Sequence, residues 1–265
     1  MTRYTHGHHE SVLRSHRWRT AENSAGYLLP HLGAGLTVLD VGCGPGTITA
    51  DLAELVAPGR LTATEITEEA LELGRAEVAS RGIATVDFEI ADLQALPFAE
   101  DSFDVVHAHQ VLQHVADPVR ALGEMRRVAR PGGVVAARDS DYAGFIWYPE
   151  TSELDEWLAL YHRCATANSG EPDAGRRLLS WARTAGFTDV TATSSTWCYA
   201  TAEDRAWWGG MWADRIRTSA MARQALESGF ADEATLARLA DGWRSWAAAP
   251  DGWFSVLHGE ILCVA

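Results

Sequence analysis

The 265-residue sequence contains little that would point to a metal or a membrane. Its four cysteines, Cys43, Cys164, Cys198 and Cys263, match no zinc-binding spacing and would make a sparse disulfide framework. We therefore expect free, mostly buried thiols in a reducing compartment. The sequence has no run of about 18 apolar residues, and the polar, histidine-rich start has no apolar signal core. These absences predict a soluble cytoplasmic protein.

The sequence also lacks any run of basic residues. It carries 22 Lys and Arg against 36 Asp and Glu, which gives a formal net charge of −14 at pH 7. Such a charge repels polyanions, so we expect no nucleic-acid partner, and it disfavours an anionic membrane surface. Hydrophobic residues make up 47% of the chain, enough for a sizeable core.

The first half of the chain alternates between short strands and helices. Apolar runs predict strands near residues 37–41, 60–65, 85–90, 103–108 and 134–139. Helices are predicted after Gly46, after Thr67 as an N-cap, and from Asp117-Pro118. Strands and helices that alternate in this way predict a parallel sheet with helices on both faces.

The composition changes after Ser140, where ten of the eleven tryptophans lie. The pattern there predicts a helix over 176–185, a strand over 188–197, a helical stretch over 202–247 and a last strand over 253–265. We expect a single domain in three parts. These are an N-terminal helical lid over 1–35, a core over 36–140, and a remainder over 141–265 with an inserted tryptophan-rich helical cap.

The most informative stretch is the glycine-rich turn Val38-Leu-Asp-Val-Gly42-Cys-Gly44-Pro-Gly46-Thr47. Glycine is needed where φ is positive or where a ligand lies against the main chain. The helix that follows offers its N-terminus to a carboxylate or phosphate. A dinucleotide site needs G-x-G-x-x-G/A, but here the third glycine comes one residue early. Taken alone, the turn is also compatible with a tight connection that binds nothing.

Polar residues follow the next strands, at the edge where open α/β sheets bind ligands. Glu65 ends the second strand about 20 residues after the glycines, where a carboxylate can bind both hydroxyls of a ribose. Asp92 follows the third strand and could bind an adenine amino group. Each acid alone is more often a solvated loop residue or a helix cap. His109 and Gln110 leave the fourth strand.

These motifs, in this order, resemble those of class I S-adenosylmethionine-dependent methyltransferases, most closely the ubiquinone/menaquinone-biosynthesis-like branch. The resemblance covers roughly residues 36–140, with weaker similarity to about residue 198. It rests on Val38–Thr47, Glu65, Asp92-Leu93, Phe103-Asp-Val-Val106, Val111-Leu-Gln-His-Val115 with Asp117-Pro118, and Arg130-Pro-Gly-Gly133. It implies S-adenosylmethionine as cofactor and an α/β, Rossmann-like sheet of seven mostly parallel strands in the order 3-2-1-4-5-7-6.

The resemblance also implies a set of cofactor-binding residues. These are Gly42, Cys43 and Gly44 at the methionine part with Asp40 behind them, Glu65 at the ribose, Ile66 against the adenine, and Asp92 with Leu93 at its edge. His109 and Gln110 are further candidates for the lining of the cofactor site or pocket. Glu65 stands where many relatives have aspartate, a change of one methylene.

His114 and Tyr4 are the candidates for catalysis, by resemblance to the phosphoethanolamine methyltransferases. In those enzymes a histidine at the place of His114 pairs with a tyrosine from the N-terminal segment. Histidine is the usual base near neutral pH when the nucleophile is a hydroxyl or a protonated amine. Alternatively, His114 only caps or packs a loop.

The histidines of the N-terminal segment do not predict a metal site. Adjacent side chains point in different directions on any regular element, and no further ligand cluster is evident near His6, His8, His9 and Glu10. We expect instead a lid over the cofactor, with Tyr4 and Arg14 or Arg19 near its carboxylate.

The aromatic residues of the second half suggest a substrate pocket in the cap. Trp147, Tyr148, Trp207, Trp208 and Trp212 could stack on a planar substrate or attract a cation. Most of them are expected in the core of the cap instead.

The leading hypothesis is a methyltransferase (EC 2.1.1.-) that acts on a small, aromatic or polycyclic metabolite at oxygen, nitrogen or carbon. One alternative is an enzyme that binds the cofactor but catalyses another reaction, such as a cyclisation. A nucleic-acid or protein methyltransferase is a third hypothesis. The net charge counts against a nucleic-acid substrate, as does the absence of an Asn/Asp-Pro-Pro-Tyr/Phe motif, where this chain has His109-Gln-Val-Leu112. A non-catalytic cofactor-binding module is a further alternative. We expect a monomer or a homodimer.

Overall fold

The structure is a computed structural model that describes residues 15–265. Helices α1 to α9 span Ala21–Ala25, Thr47–Val56, Glu68–Ser80, Pro118–Val128, Ser152–Ala167, Leu178–Thr184, Ala202–Thr218, Ala220–Glu227 and Glu233–Ala248. Strands β1 to β8 span Val38–Val41, Leu61–Glu65, Val86–Ile90, Phe103–His109, Ala129–Ser140, Ile146–Tyr148, Val190–Tyr199 and Trp253–Val264.

The strands form one sheet in which β3, β2, β1, β4 and β5 are parallel neighbours in that order. β8 lies antiparallel between β5 and β7, so the predicted order of a Rossmann-like methyltransferase sheet is confirmed. The sheet has eight strands rather than seven because the short strand β6 pairs with the beginning of β8.

Local signals in the sequence fix the ends of the first helices. The Thr67 hydroxyl accepts a hydrogen bond from the amide of Ala70, and the Asp117 carboxylate accepts one from the amide of Arg120. Pro118 occupies the first turn of α4, where its missing N–H costs nothing. These caps set the ends of the helices that flank the parallel strands.

The second half completes the sheet with β6, β7 and β8 and also forms a helical cap over it. α5 was not predicted, although Leu154, Trp157, Tyr161 and Cys164 lie buried at helical spacing along it. The stretch predicted as helical over 202–247 is divided into α7, α8 and α9. Within residues 15–265, no helix is both long and apolar enough to cross a membrane.

The cap has its own aromatic core. Trp157 lies at its centre, with its ring centroid 4.6 Å from that of Trp212 and 4.8 Å from that of Trp243. Phe254 of β8 packs 5.4 Å from Trp243 and so joins the cap to the sheet. Complete burial of such rings contributes about 2–3 kcal/mol each, which stabilises the cap at a fixed position above the strands.

Candidate active site

A cavity lies at the carboxyl ends of the parallel strands, between the sheet and the cap. One side, the glycine-loop wall, is formed by Gly42, Gly44, Pro45, Glu65, Ile66, Asp92 and Leu93. The other side, the cap wall, is formed by Tyr142, Phe145, Trp197, Tyr199, Trp208, Trp212 and Arg215. Between the two walls, the ends of β4 and β5 contribute His109, Gln110 and Ser140.

The glycines of the loop have different physical roles. Gly44 has φ +53°, and among described atoms none lies within 4 Å of where its Cβ would be, so this position is open. At Gly42, with φ +68°, a Cβ would lie 2.5 Å from Val111 Cγ2. At Gly46 it would lie 2.7 Å from the Cα of Gly74, so this glycine lets α2 and α3 approach. Only Gly44 therefore keeps space free for a ligand.

Two predicted residues of the loop lie outside the cavity lining. Asp40 is buried behind the loop, where its carboxylate accepts from the Thr49 hydroxyl at 2.6 Å and contacts His107 Nδ1 at 2.8 Å. It therefore supports the loop from behind rather than facing the cavity. Cys43 was expected to line the cofactor site. Its side chain instead packs beside Gly74 of α3 and does not line the cavity. Burial raises the pKa of its thiol well above the ordinary value, with the nearby Asp40 and Glu65 adding to the shift.

The predicted acids lie on the glycine-loop wall. Glu65 Oε1 accepts from the Gly44 amide at 3.0 Å, and Oε2 accepts from the Ile66 amide at 3.0 Å. Asp92 Oδ1 accepts from the Gln94 amide at 2.9 Å. The Ile66 side chain is 56% exposed and Leu93 is buried, so apolar surface lies next to both carboxylates. The wall is thus suited to a ligand that has a planar apolar part and also carries hydroxyl or amino groups.

Gln110 connects the N-terminal segment to the sheet. It has φ +55°, a conformation that non-glycine residues rarely adopt. Its Oε1 accepts from Arg19 Nη2 at 2.7 Å, while its Nε2 donates to Ser140 Oγ at 2.9 Å and lies 2.9 Å from His258 Nε2. The strained backbone aims the amide at these partners and so holds Arg19 at the cavity.

The ends of β4 and β5, between the two walls, form the floor of the cavity. His109 belongs to this floor and is only 7% exposed. Within the described part of the chain, neither of its ring nitrogens has a hydrogen-bond partner. Burial lowers its pKa well below the ordinary value, and the positive charges of Arg19 and Arg138 add to the effect. The imidazole is therefore neutral at pH 7, with one nitrogen that donates and one that accepts.

His114 also lines the cavity, and its Nε2 lies 3.0 Å from the side-chain amide of Gln113. Burial, with a smaller effect of Arg19, lowers the pKa of His114 to about 3. A group with that pKa is neutral near pH 7 but a weak base. Its proposed partner Tyr4 lies outside the described residues, as do His6, His8, His9, Glu10 and Arg14.

The aromatic predictions for the cap are partly met. Trp208 and Trp212 line the cavity, whereas Trp147, Tyr148 and Trp207 do not. Trp147 instead stacks on Phe254 with centroids 5.6 Å apart, and Tyr148 is exposed on β6. Trp207 packs on the outer side of the cap core.

Five residues of the cap wall were missed from the sequence: Tyr142, Phe145, Trp197, Tyr199 and Arg215. Trp197 and Tyr199 alternate at the carboxyl end of β7, a period-two signal that places both side chains on one face. Arg215 follows Trp208 and Trp212 at spacings of seven and three, which puts all three on one side of α7. Its Nη2 donates to Ser15 Oγ at 2.8 Å, and its guanidinium lies 4.6 Å from the Trp212 ring.

A buried carboxyl lies beneath the cavity floor. Asp139 of β5 accepts a hydrogen bond from the Gln113 amide at 3.1 Å through Oδ1, and in the described structure its Oδ2 has no partner. Burial raises the pKa of Asp139 to about 7, despite the opposing effects of the Gln113 and Leu112 backbone amides and of Arg138.

Comparisons with known proteins agree with this architecture. A family model described as a methyltransferase domain matches residues 32–196. An uncharacterized methyltransferase of Schizosaccharomyces pombe is 33% identical over 270 residues, which cover 98% of this chain and 95% of the relative. The ubiquinone/menaquinone biosynthesis C-methyltransferase of Hahella chejuensis is 39% identical over 102 residues, 38% of this chain and 41% of its own.

Two solved structures share the fold. The [4+2]-cyclase SpnF superposes with a TM-score of 0.53 at 21% identity, over 94% of this chain and 80% of its own. The phosphoethanolamine N-methyltransferase 2 of Haemonchus contortus, in complex with phosphomonomethylethanolamine and S-adenosylhomocysteine, gives 0.55 at 18% identity, over 88% of this chain and 49% of its own.

Proposed function

This chain belongs to the class I S-adenosylmethionine-dependent methyltransferases, and from that premise we propose that it methylates a small, planar acceptor (EC 2.1.1.-) in the cytoplasm. The observation that carries the proposal is that one cavity joins the glycine-loop wall to an aromatic cap wall. A wall of aromatic side chains with few polar groups is usual where proteins bind small planar molecules. The net charge of −14 disfavours a nucleic-acid substrate.

The residues of the glycine-loop wall fit the cofactor. The open position at Gly44, close to the N-terminus of α2, would receive its carboxylate arm. Glu65 would bind the ribose hydroxyls, and Asp92 the adenine amino group, with Ile66 and Leu93 against the base. When bound, the cofactor supplies a methyl group on a positively charged sulfur.

The chain itself would act mainly by positioning and by excluding water. The cap wall holds the acceptor against the floor formed by His109 and Gln110, and burial there shields the reacting atoms from solvent. Three histidines line the cavity, His16, His109 and His114, and burial holds the pKa values of His109 and His114 well below neutral pH. A nucleophile that is already electron-rich is therefore favoured over one that needs a strong base.

Calorimetry with S-adenosylmethionine and then S-adenosylhomocysteine tests the cofactor site. We expect micromolar affinity for both, and no binding of either would refute the proposal. Transfer of isotope-labelled methyl groups to a panel of small aromatic compounds then tests the reaction. Label found only in protein or nucleic acid would contradict the proposed substrate class. Conversion of an acceptor without label would indicate a non-methylating reaction.

A further inference from the structure

Three buried side chains that line the cavity carry hydrogen-bond donors with no partner among residues 15–265. These are the cavity donors His109, Tyr199 and Trp208, which are 7%, 2% and 5% exposed. The unpaired atoms are both ring nitrogens of His109, the Tyr199 hydroxyl and Trp208 Nε1. A buried polar group left unpaired costs about 1–3 kcal/mol, and most such groups in folded proteins are paired. The cavity donors therefore point to a ligand that pairs with them.

The location of these donors matters as much as their lack of partners. The indole N–H groups of Trp157 and Trp243 also lack a partner in the described structure, but both rings lie in the aromatic core of the cap and do not line the cavity. Trp197 does line the cavity, and its N–H donates to the Asn23 carbonyl oxygen at 2.7 Å. The cavity donors thus differ from the first pair by their place and from Trp197 by being unpaired.

The cavity donors lie along one aromatic surface, where the floor meets the cap wall. The rings of Tyr199 and Trp208 stack with centroids 4.3 Å apart and planes 10° apart. Trp197 alternates with Tyr199 on β7, so both side chains lie on the same face of the strand. The centroid of the His109 ring lies 5.9 Å from that of Trp197. A planar molecule against this surface can therefore reach donors at its edge.

The chemistry of the cavity donors selects the kind of atom that they can bind. The indole N–H of Trp208 can only donate. Burial raises the pKa of the Tyr199 hydroxyl well above its ordinary value, so this group keeps its proton. Burial likewise keeps the His109 imidazole neutral, with one N–H to donate. A carbonyl oxygen accepts from all three groups and brings no donor of its own, whereas a hydroxyl would bring a donor that Trp208 cannot accept.

We propose that the methyl acceptor is a planar compound with carbonyl groups conjugated to a ring, and that its carbonyl oxygens accept hydrogen bonds from His109, Tyr199 and Trp208. The Trp197 ring would contact the flat part of the acceptor. This proposal deepens the proposed function and rests on it. It assigns a use to cavity atoms that have no partner among residues 15–265.

The binding of 1-indanone and indane to the full chain loaded with S-adenosylhomocysteine tests this proposal. The two compounds share one bicyclic frame, and only 1-indanone has a carbonyl group. Indane is the more apolar, so the hydrophobic effect alone would favour it. We expect 1-indanone to bind at least about tenfold more tightly, as measured by NMR titration.

The carbonyl group of the bound probe reports its hydrogen bonds directly. In the isotope-edited infrared spectrum, the carbonyl stretch of bound 1-indanone should lie at a lower frequency than in hexane. A residue that only supports the fold would not change this frequency. Tyr199→Phe, which removes a single hydroxyl, should therefore reverse part of the shift.

Matched variants assign the affinity to residues. Tyr199→Phe should weaken binding of 1-indanone by about threefold to about tenfold and leave binding of indane unchanged. Tyr27→Phe is the control, since the Tyr27 hydroxyl is also buried without a described partner but does not line the cavity. His109→Phe should weaken binding of 1-indanone about tenfold, and His109→Gln, which keeps an N–H, should recover part of the loss.

The outcomes separate this proposal from the function on which it rests. If the protein fails to bind S-adenosylhomocysteine in the preceding calorimetry, the proposed function fails. If it binds that compound but binds indane as tightly as 1-indanone, or binds neither, only the carbonyl proposal is overturned. The same holds if the carbonyl stretch of the bound probe equals that in hexane, or if Tyr199→Phe and Tyr27→Phe behave alike.

Discussion

Gly44 is the residue of the glycine-rich turn whose missing side chain leaves the cavity open. In Gly44→Asp, a carboxylate would occupy the space proposed for the anionic arm of the cofactor, next to the backbone amides that would bind it. We expect this variant to lose binding of S-adenosylhomocysteine, with at least about a hundredfold rise in Kd by calorimetry.

Gly82→Asp is a matched control for that substitution. Gly82 has φ +70°, similar to the +53° of Gly44, and no described atom lies near its Cβ position, but it ends α3 away from the cavity. Both variants therefore carry similar backbone strain. Equal affinity in the two would show that Gly44 does not contact the cofactor.

His114 provides a second test at the residue scale. Its pKa of about 3 makes it a weak base, so we expect it to position the acceptor and Gln113. His114→Ala should lower kcat by about tenfold to about a hundredfold, with little change in cofactor affinity. The dependence of kcat on pH should have the same shape near pH 6.5 in the wild type and in the variant. Unchanged turnover in the variant would show that His114 does not contribute to the reaction. An inflection near pH 6.5 that is present in the wild type and absent in the variant would instead indicate that His114 is the base.

Between elements, the contact of α2 with α3 depends on two facing glycines. A Cβ at Gly46 would lie 2.7 Å from the Cα of Gly74, and the residue has φ +80°. A Cβ at Gly74 would lie 3.1 Å from the Phe88 ring, 3.4 Å from the Gly44 carbonyl oxygen and 3.6 Å from Cys43 Sγ. The first substitution therefore requires the backbone to move, while the second requires only a small shift of a ring.

We expect Gly46→Ala to reduce the free energy of unfolding by at least about 2 kcal/mol, from strain at positive φ and from the clash. Gly74→Ala should change it by less than about 1 kcal/mol, because alanine favours a helix interior over glycine and offsets part of the crowding. Urea unfolding of both variants measures this. A larger loss in Gly74→Ala would contradict the assignment of the close contact.

The elements of the first half could be predicted because their signals are local. Thr67 and Asp117 cap their helices as the sequence indicated. The helix α5 was missed although Thr151 caps it and Leu154, Trp157 and Cys164 repeat along its buried face. The signal was present, but the regular alternation of strand and helix had ended there, and the extra strand β6 has only three residues.

The site could be predicted only in part. Glycine and acid positions follow from motif spacing, so Gly44, Glu65 and Asp92 were found to line the cavity. The use of each tryptophan depends on packing between distant segments, which composition does not encode. Trp208 faces the cavity while its neighbour Trp207 packs outside it.

For the whole molecule, the buried carboxyl of Asp139 predicts how stability depends on pH. Its pKa is raised from 3.8 to about 7 in the folded protein. The unfolded chain loses this proton near pH 4 but the folded chain keeps it until about pH 7. The stability that comes from Asp139 is thus complete below about pH 4 and is lost as pH rises towards 7.

We expect Asp139→Asn to remove this loss. Between pH 5 and pH 8, the free energy of unfolding of the wild type should fall by about 3 kcal/mol more than that of the variant. Urea unfolding at both pH values measures the difference, and the exposed Asp241→Asn serves as control. A pH dependence shared by all three proteins would show that Asp139 is ionised in the folded state.

The position of β8 in the sheet bears on how the chain folds during synthesis. This strand lies between β5 and β7, and within residues 15–265 β7 pairs with β8 alone. On the ribosome, β7 therefore emerges without a partner strand and stays unpaired until α7, α8, α9 and β8 have been translated. During that interval both β5 and β7 present open strand edges, which are templates for pairing with another chain. A nascent chain arrested before β8 should be the form that chaperones bind and that aggregates.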